Sequence, residues 1–151
     1  GGNSSGKYSI YGCYNEGTIE TDGGNAGGIY GKDGGYDFDI KGCYNIGTVQ
    51  GKQGGEVLGA ITSSSASGSS VMASCYVKEK YAAAHVTEET VFGSSDWPTS
   101  TNNTVWYADP SNDGTYTAGS DGVPTGNYKF WKSLGSWNGG TPQYPKLWWE
   151  E

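Results

Sequence analysis

The stretch Gly12-Cys13-Tyr14-Asn15-Glu16-Gly17-Thr18-Ile19 returns thirty residues later as Gly42-Cys43-Tyr44-Asn45-Ile46-Gly47-Thr48-Val49, with Ile10 and Ile40 two positions ahead of each. A third pair, Cys75-Tyr76, follows 32 residues after the second but lacks the Asn and the Gly-Thr turn. Self-similarity at a fixed period of this size marks a repeat architecture, in which no unit buries its apolar face alone and stacked neighbours make the core. A propeller blade needs about 40 residues and four strands, whereas about 30 residues broken by Gly pairs suits one coil of a parallel β-solenoid. The expected fold is therefore all-β. Residues 1–92 are read as a parallel β-solenoid (β-helix) of about three coils. Residues 93–151 are read as an aromatic-rich C-terminal capping region of the same domain.

Within each repeat, strand alternation places Ile10, Gly12 and Tyr14 on one side and Tyr11 and Cys13 on the other, until Asn15 to Gly17 turns the chain. Asn at such a corner stacks on its counterpart and passes side-chain hydrogen bonds along the ladder, so Asn15 and Asn45 read as structural. A looser echo follows each unit, "GGIYG" from Gly27 and "GGEVLG" from Gly54. The cysteine count is odd, which leaves at least one thiol unpaired within a single chain. One Cys per repeat at an equivalent position suggests a buried stack of thiols. The alternative is a Cys13–Cys43 disulfide, whose Cα spacing is allowed but whose parallel Cβ directions make the required dihedral hard to reach. A zinc site finds no partner for the lone His85 at suitable spacing.

With 27 Gly and only 34% hydrophobic residues the composition borders on that of a disordered chain, yet 14% aromatic residues supply more contact area than disorder carries. The net charge is −7, and all nine basic residues are Lys. Without clustered cations or any guanidinium group, nucleic acid is excluded as a partner. No apolar run approaches the roughly 18 residues of a membrane span, so no membrane insertion of this segment is expected. Beginning at Gly1-Gly2, the chain reads as a segment of a longer polypeptide.

The pattern Ile10-x-Gly12-Cys13-Tyr14-Asn15-x-Gly17-Thr18-Ile19, followed by Gly27-Gly28-Ile29-x-Gly31, resembles the GLUG-type repeats of large bacterial surface and secreted proteins, especially those of Bacteroidetes. The resemblance covers about residues 8–77. The stretch Phe130 to Glu150, with Trp137 followed by Gly139-Gly140 and then Tyr144-Pro145-x-Leu147-x-Trp149, is similar to the segment that closes such arrays. It departs from the pattern at Glu56, where an aliphatic residue is preferred, and in the third repeat. The resemblance implies a non-catalytic, cofactor-free solenoid, secreted or on the outer cell surface. Its role would be adhesin-like: display and binding of a host or environmental glycan or surface protein. Two other functions fit the same residues: a carbohydrate-binding accessory module of a larger secreted glycan-degrading or peptidase enzyme, and a pure structural spacer.

All six Trp lie after residue 96. Read as packing, they plug the end of the stack. Read as a site, Trp106, Tyr107, Trp131 and Trp137, with Tyr116 or Tyr144, make a sugar-stacking surface. The stretch "DPSNDG" from Asp109 places oxygens at Asp109, Ser111 and Asp113 as a calcium loop does, but position twelve is Ser120 rather than Glu, and Asp121 comes one late. It reads as an ordinary turn, and no metal site is assigned. Asn3 and Asn102 fit glycosylation sequons. "TSSSASGSS", residues 62–70, is read as a protruding polar loop, and Lys78 to His85 and Thr87 to Thr90 as short helical turns. For catalysis, Glu16, Glu20, Asp37 and Asp39 lie on repeat strands. Glu16 aligns with Ile46, so no acidic ladder runs from unit to unit, and no nucleophile context accompanies His85.

Overall fold

The computed structural model describes residues 7–31, 37–53, 57–63, 70–81, 89–98, 131–147 and 150, and among them every helix-or-strand element is a strand. The chain divides into two compact units, Gly1–Phe92 and Gly93–Glu151. Among the described residues no helix is long and apolar enough to cross a membrane.

In the first unit the first repeat contributes β1 (Lys7–Tyr11), β2 (Tyr14–Asn15), β3 (Thr18–Thr21) and β4 (Asn25–Gly27). The second contributes β5 (Asp37–Lys41), β6 (Tyr44–Asn45), β7 (Thr48–Gly51) and β8 (Val57–Gly59). After them come β9 (Val71–Ala73), β10 (Tyr76–Val77) and β11 (Thr90–Val91). Each strand lies beside its counterpart, giving the orders β1-β5-β9, β11-β10-β6-β2, β3-β7 and β4-β8, and every one of these pairings is parallel. Like meets like across the ladder: Tyr14 faces Tyr44, which faces Tyr76, and Ile10 faces Ile40, which faces Met72.

The register holds at thirty from Lys7↔Asp37 to Thr21↔Gly51 and at 32 from Asn25↔Val57 onward. The second repeat is thus two residues longer between Gly51 and Val57. This corrects the Gly-Gly echo: Gly27 pairs with Gly59, not with Gly54, and Gly28-Ile29-Tyr30 corresponds to Ala60-Ile61-Thr62. Glu56 therefore lies before that motif; the shared feature is the tight turn in which Gly27 and Gly59 approach the Tyr30 and Thr62 carbonyls, and it outranks the Gly-Gly dipeptide as a guide to register.

Phe38, Ile40, Cys43, Ala60, Ile61, Met72, Cys75 and Val77 form the core. Enclosing each large apolar side chain contributes about 1.5–3 kcal/mol. Ile40 and Cys43 share this interior, against the alternation expected from sequence. Gly42 is the cause: its φ of 61° lies in the left-handed region and rotates the strand between the two residues. Gly12 does the same at 62°, and in the third repeat the position falls to Ser74, at 53°. On the far side of β7, the Tyr81 hydroxyl accepts the Val49 amide at 2.8 Å, a side-chain oxygen taking the place of a strand.

Other expectations give way where burial or pairing overrides local propensity. Lys78 to Lys80 bend rather than coil, and Thr90 enters β11; residues 82–88, including His85, lie outside the described residues. Of the loop read at 62–70, Thr62 and Ser63 are buried and the Ser70 hydroxyl accepts the Phe38 amide, so both ends are built into the fold.

The second unit is antiparallel. β12 (Trp131–Ser133) pairs with β15 (Lys146–Leu147) through a bulge, and β13 (Ser136–Asn138) pairs with β14 (Thr141–Gln143). Gly139 and Gly140, with φ of 60° and 117°, make the two-residue turn of that hairpin. Trp97, Pro98, Trp131, Pro145 and Leu147 are buried.

Candidate functional site

The repeated Cys, Tyr and Asn build structure. Tyr14 and Tyr44 stack with ring centroids 5.0 Å apart, and Phe92 packs against both Tyr44 and Tyr76. Asn15 Nδ2 donates to Asn45 Oδ1 at 2.9 Å, and Asn45 Nδ2 donates to the Ala60 carbonyl at 2.8 Å. Each Asn also accepts the amide two residues on, from Gly17 and Gly47, which closes the corner. All three cysteines are free thiols, and Cys43 and Cys75 are buried. Each of these two donates to a carbonyl of its own repeat and to one of the repeat before: Lys41 and Ile10 for Cys43, Ala73 and Ile40 for Cys75. Cys13 departs from the expected buried stack. It is exposed, because it sits on the outermost strands.

The Cys43 thiol beside it, then burial, push the Cys13 thiol well above its ordinary pKa. At Cys43 the hydrogen bond with Cys13 pulls down, but the one with Cys75 together with burial outweighs it and raises the pKa.

Two polar clusters lie on repeat strands. The Tyr11 hydroxyl donates to Asp39 Oδ2 at 2.7 Å, and Lys41 Nζ lies 3.0 Å from Asp39 Oδ1 and 5.7 Å from the centre of the Tyr11 ring. On β3 and β7 the Gln50 amide donates to Glu20, and Lys52 Nζ bridges Glu20 at 3.4 Å and Asp22 at 3.2 Å. The Gln50 hydrogen bond and then the Lys52 charge hold the Glu20 carboxyl below its usual range. Both Glu20 and Asp39, weighed above as catalytic candidates, are thereby engaged as acceptors. Glu16 is exposed.

The exposed aromatic surface belongs to the second unit. Alternation along the β13–β14 hairpin puts Trp137 and its cross-strand partner Pro142 on one face. Trp137 retains 37% of its surface to solvent. Behind it lies Trp97, 6.2 Å away between centroids, which in turn stacks on Tyr144 at 5.9 Å and 25°. Trp97 is anchored by its indole N–H, which donates to the Leu134 carbonyl at 2.7 Å. Burial raises the Tyr144 phenol above its ordinary pKa, so it remains a neutral donor. Ser136, Asn138, Thr141 and Gln143, uncharged donors and acceptors, alternate onto the hairpin's other face. A partly exposed indole ring beside a proline, backed by a second indole, matches the apolar face of a neutral sugar.

Of the residues singled out from sequence, Trp137 is on this surface. Trp131 is fully buried and offers no ring face, since its apolar bulk fills the interior beside Leu147. Trp106 and Tyr107 lie outside the described residues, as do Tyr116, the Asp109–Asp121 loop, Asn3 and Asn102. Sequence reasoning missed Trp97 as the ring that backs Trp137. The signal for Trp137 itself was present: Ser-Trp-Asn-Gly-Gly-Thr-Pro-Gln is a two-residue hairpin signature that sets Trp137 opposite Pro142. Comparison with protein-family models, curated proteins and solved structures returned no match.

Proposed function

We propose that this chain is a non-catalytic display segment of a secreted or surface bacterial protein, wound as a parallel β-solenoid of the GLUG-like kind, that binds a glycan or surface protein outside the cell. The observation that carries the reading is the like-on-like parallel register of the Tyr14, Tyr44 and Tyr76 ladder, the pairing that successive turns of a solenoid require. Where the conspicuous residues of the repeats are spent on stacking, recognition is left to other exposed side chains. Trp137 favours a neutral glycan, and with it the second reading, a carbohydrate-binding accessory module of a larger secreted enzyme.

A glycan array and a panel of immobilised matrix proteins test this. Wild-type chain should bind a subset of neutral glycans, and Trp137→Ala should weaken that binding about ten-fold with an unchanged circular dichroism spectrum. Binding to matrix proteins that survives deglycosylation and the Trp137 substitution would instead assign recognition to protein, and no binding to either would reduce the segment to a spacer.

A further inference from the structure

The first repeat is exposed where the second is enclosed. Tyr8 keeps 45% of its surface while Phe38 opposite it keeps none, and Ile10, Tyr14, Asn15 and Ile19 are half-buried where Ile40, Tyr44, Asn45 and Val49 are buried. These residues belong to β1, β2 and β3, each of which is an edge strand of its sheet among the described residues, as is β4. The hydrogen-bond patterns differ in the same sense. Cys43 and Cys75 each donate to a carbonyl of the preceding repeat, whereas Cys13 donates to Tyr11 O of its own. Asn45 Oδ1 receives both the Gly47 amide and the Asn15 side chain, whereas Asn15 Oδ1 receives the Gly17 amide alone.

We propose that this outer face, formed by β1 to β3, is a docking surface for one more repeat of the same Gly-Cys-Tyr-Asn type, upstream in the same polypeptide and stacked in parallel register. The proposal rests on the solenoid reading above. The complementary partner is specified atom by atom: an Asn amide to meet Asn15 Oδ1, a carbonyl at the position of Ile10 to receive the Cys13 thiol, and apolar side chains over Ile10 and Ile19. A second copy does not supply them. Two first repeats meeting about a twofold axis would run antiparallel and bring Asn15 to its like at one register at most. Head to tail, the end strand β11 would present Val91 in line with Asn15.

The test is thiol labelling with a maleimide, located by mass spectrometry, on three proteins. They are the 151-residue chain, the chain extended upstream by a duplicate of residues 7–36, and the same extension with its Tyr and Asn signature positions replaced by Asp. In the 151-residue chain Cys13 should label faster than Cys43 and Cys75, and the rate should not depend on protein concentration. The intact extension should slow Cys13 labelling at least ~10-fold, to the level of Cys43, and raise the melting midpoint, while the altered extension leaves both unchanged. Equal Cys13 rates in the two extended chains would overturn the proposal, as would a Cys13 already as slow as Cys43 in the 151-residue chain, or one that slows with concentration because a second copy covers it. Should the extended chain not fold, a peptide of residues 7–36 added in trans at millimolar concentration takes its place, with slowed Cys13 labelling as support and an unchanged rate as refutation. If Cys43 and Cys75 label as fast as Cys13, the stacking of repeats itself has failed.

Discussion

Residues 8–15 and 38–45 spell nearly the same repeat, yet among the described strands the first lies on the outside of its sheets and the second between two neighbours. The same side chain at the same backbone position thereby changes role. Asn45 is an enclosed junction joined to Asn15, Gly47 and Ala60, while Asn15 is a half-buried end of that chain of hydrogen bonds. Stability in such a molecule is set by neighbours more than by identity, as expected when each unit contacts only the next.

The contrast breaks most visibly at the aromatic pair. Phe38→Ala should cost about 3–5 kcal/mol by urea denaturation, and Tyr8→Ala less than ~1 kcal/mol; equal losses would mean that the first repeat is covered in solution. Next comes the Asn pair. Asn45→Ala strands the Gly47 amide and the Ala60 carbonyl and should cost ~2–4 kcal/mol, against about 1 kcal/mol for Asn15→Ala in the same assay. Ser74→Gly should act in the opposite direction, raising stability by ~1 kcal/mol, because the left-handed conformation penalises a Cβ that Gly12 and Gly42 do not carry.

The smallest effect is one of pH. A thiol whose pKa is raised on folding binds its proton more tightly in the native state, so its contribution is full below the unfolded value near 8.5 and is lost as pH rises beyond it. The urea midpoint should therefore be flat from about pH 6 to 8 and fall above about pH 9, with a shallower fall in Cys43→Ala than in wild type. Amide exchange sharpens the comparison without mutation. Ile46 and Thr48, which donate to Asn15 and Gly17 of the first repeat, should exchange at least ~10-fold more slowly than Glu16 and Thr18.

The parallel pairing of these repeats was legible because three dissimilar residues, Cys, Tyr and Asn, recur in fixed order, and each must meet its own kind to stack or hydrogen-bond. Which face Cys13 and Cys43 occupy was not, since alternation predicts opposite sides for Ile40 and Cys43 until the left-handed Gly42 intervenes. The Gly-Gly echo falls out of register for a related reason: with 27 glycines in the chain a dipeptide match arises by chance, whereas the turn after Gly27 and Gly59 has no letter of its own. At the aromatic surface the hairpin dipeptide located Trp137. Composition could not separate it from Trp131, because enclosure depends on what packs across the sheet, and two Trp six residues apart carry the same name.

The hydroxyl that Tyr81 offers to Val49 gives the ladder a direction. A strand arriving beside β7 would have to displace that oxygen first, whereas nothing comparable among the described residues guards the opposite edge at β3. The β3–β7 pair thus carries a stopper at one edge, and strand-by-strand addition, which needs both edges open to propagate, is denied one of them.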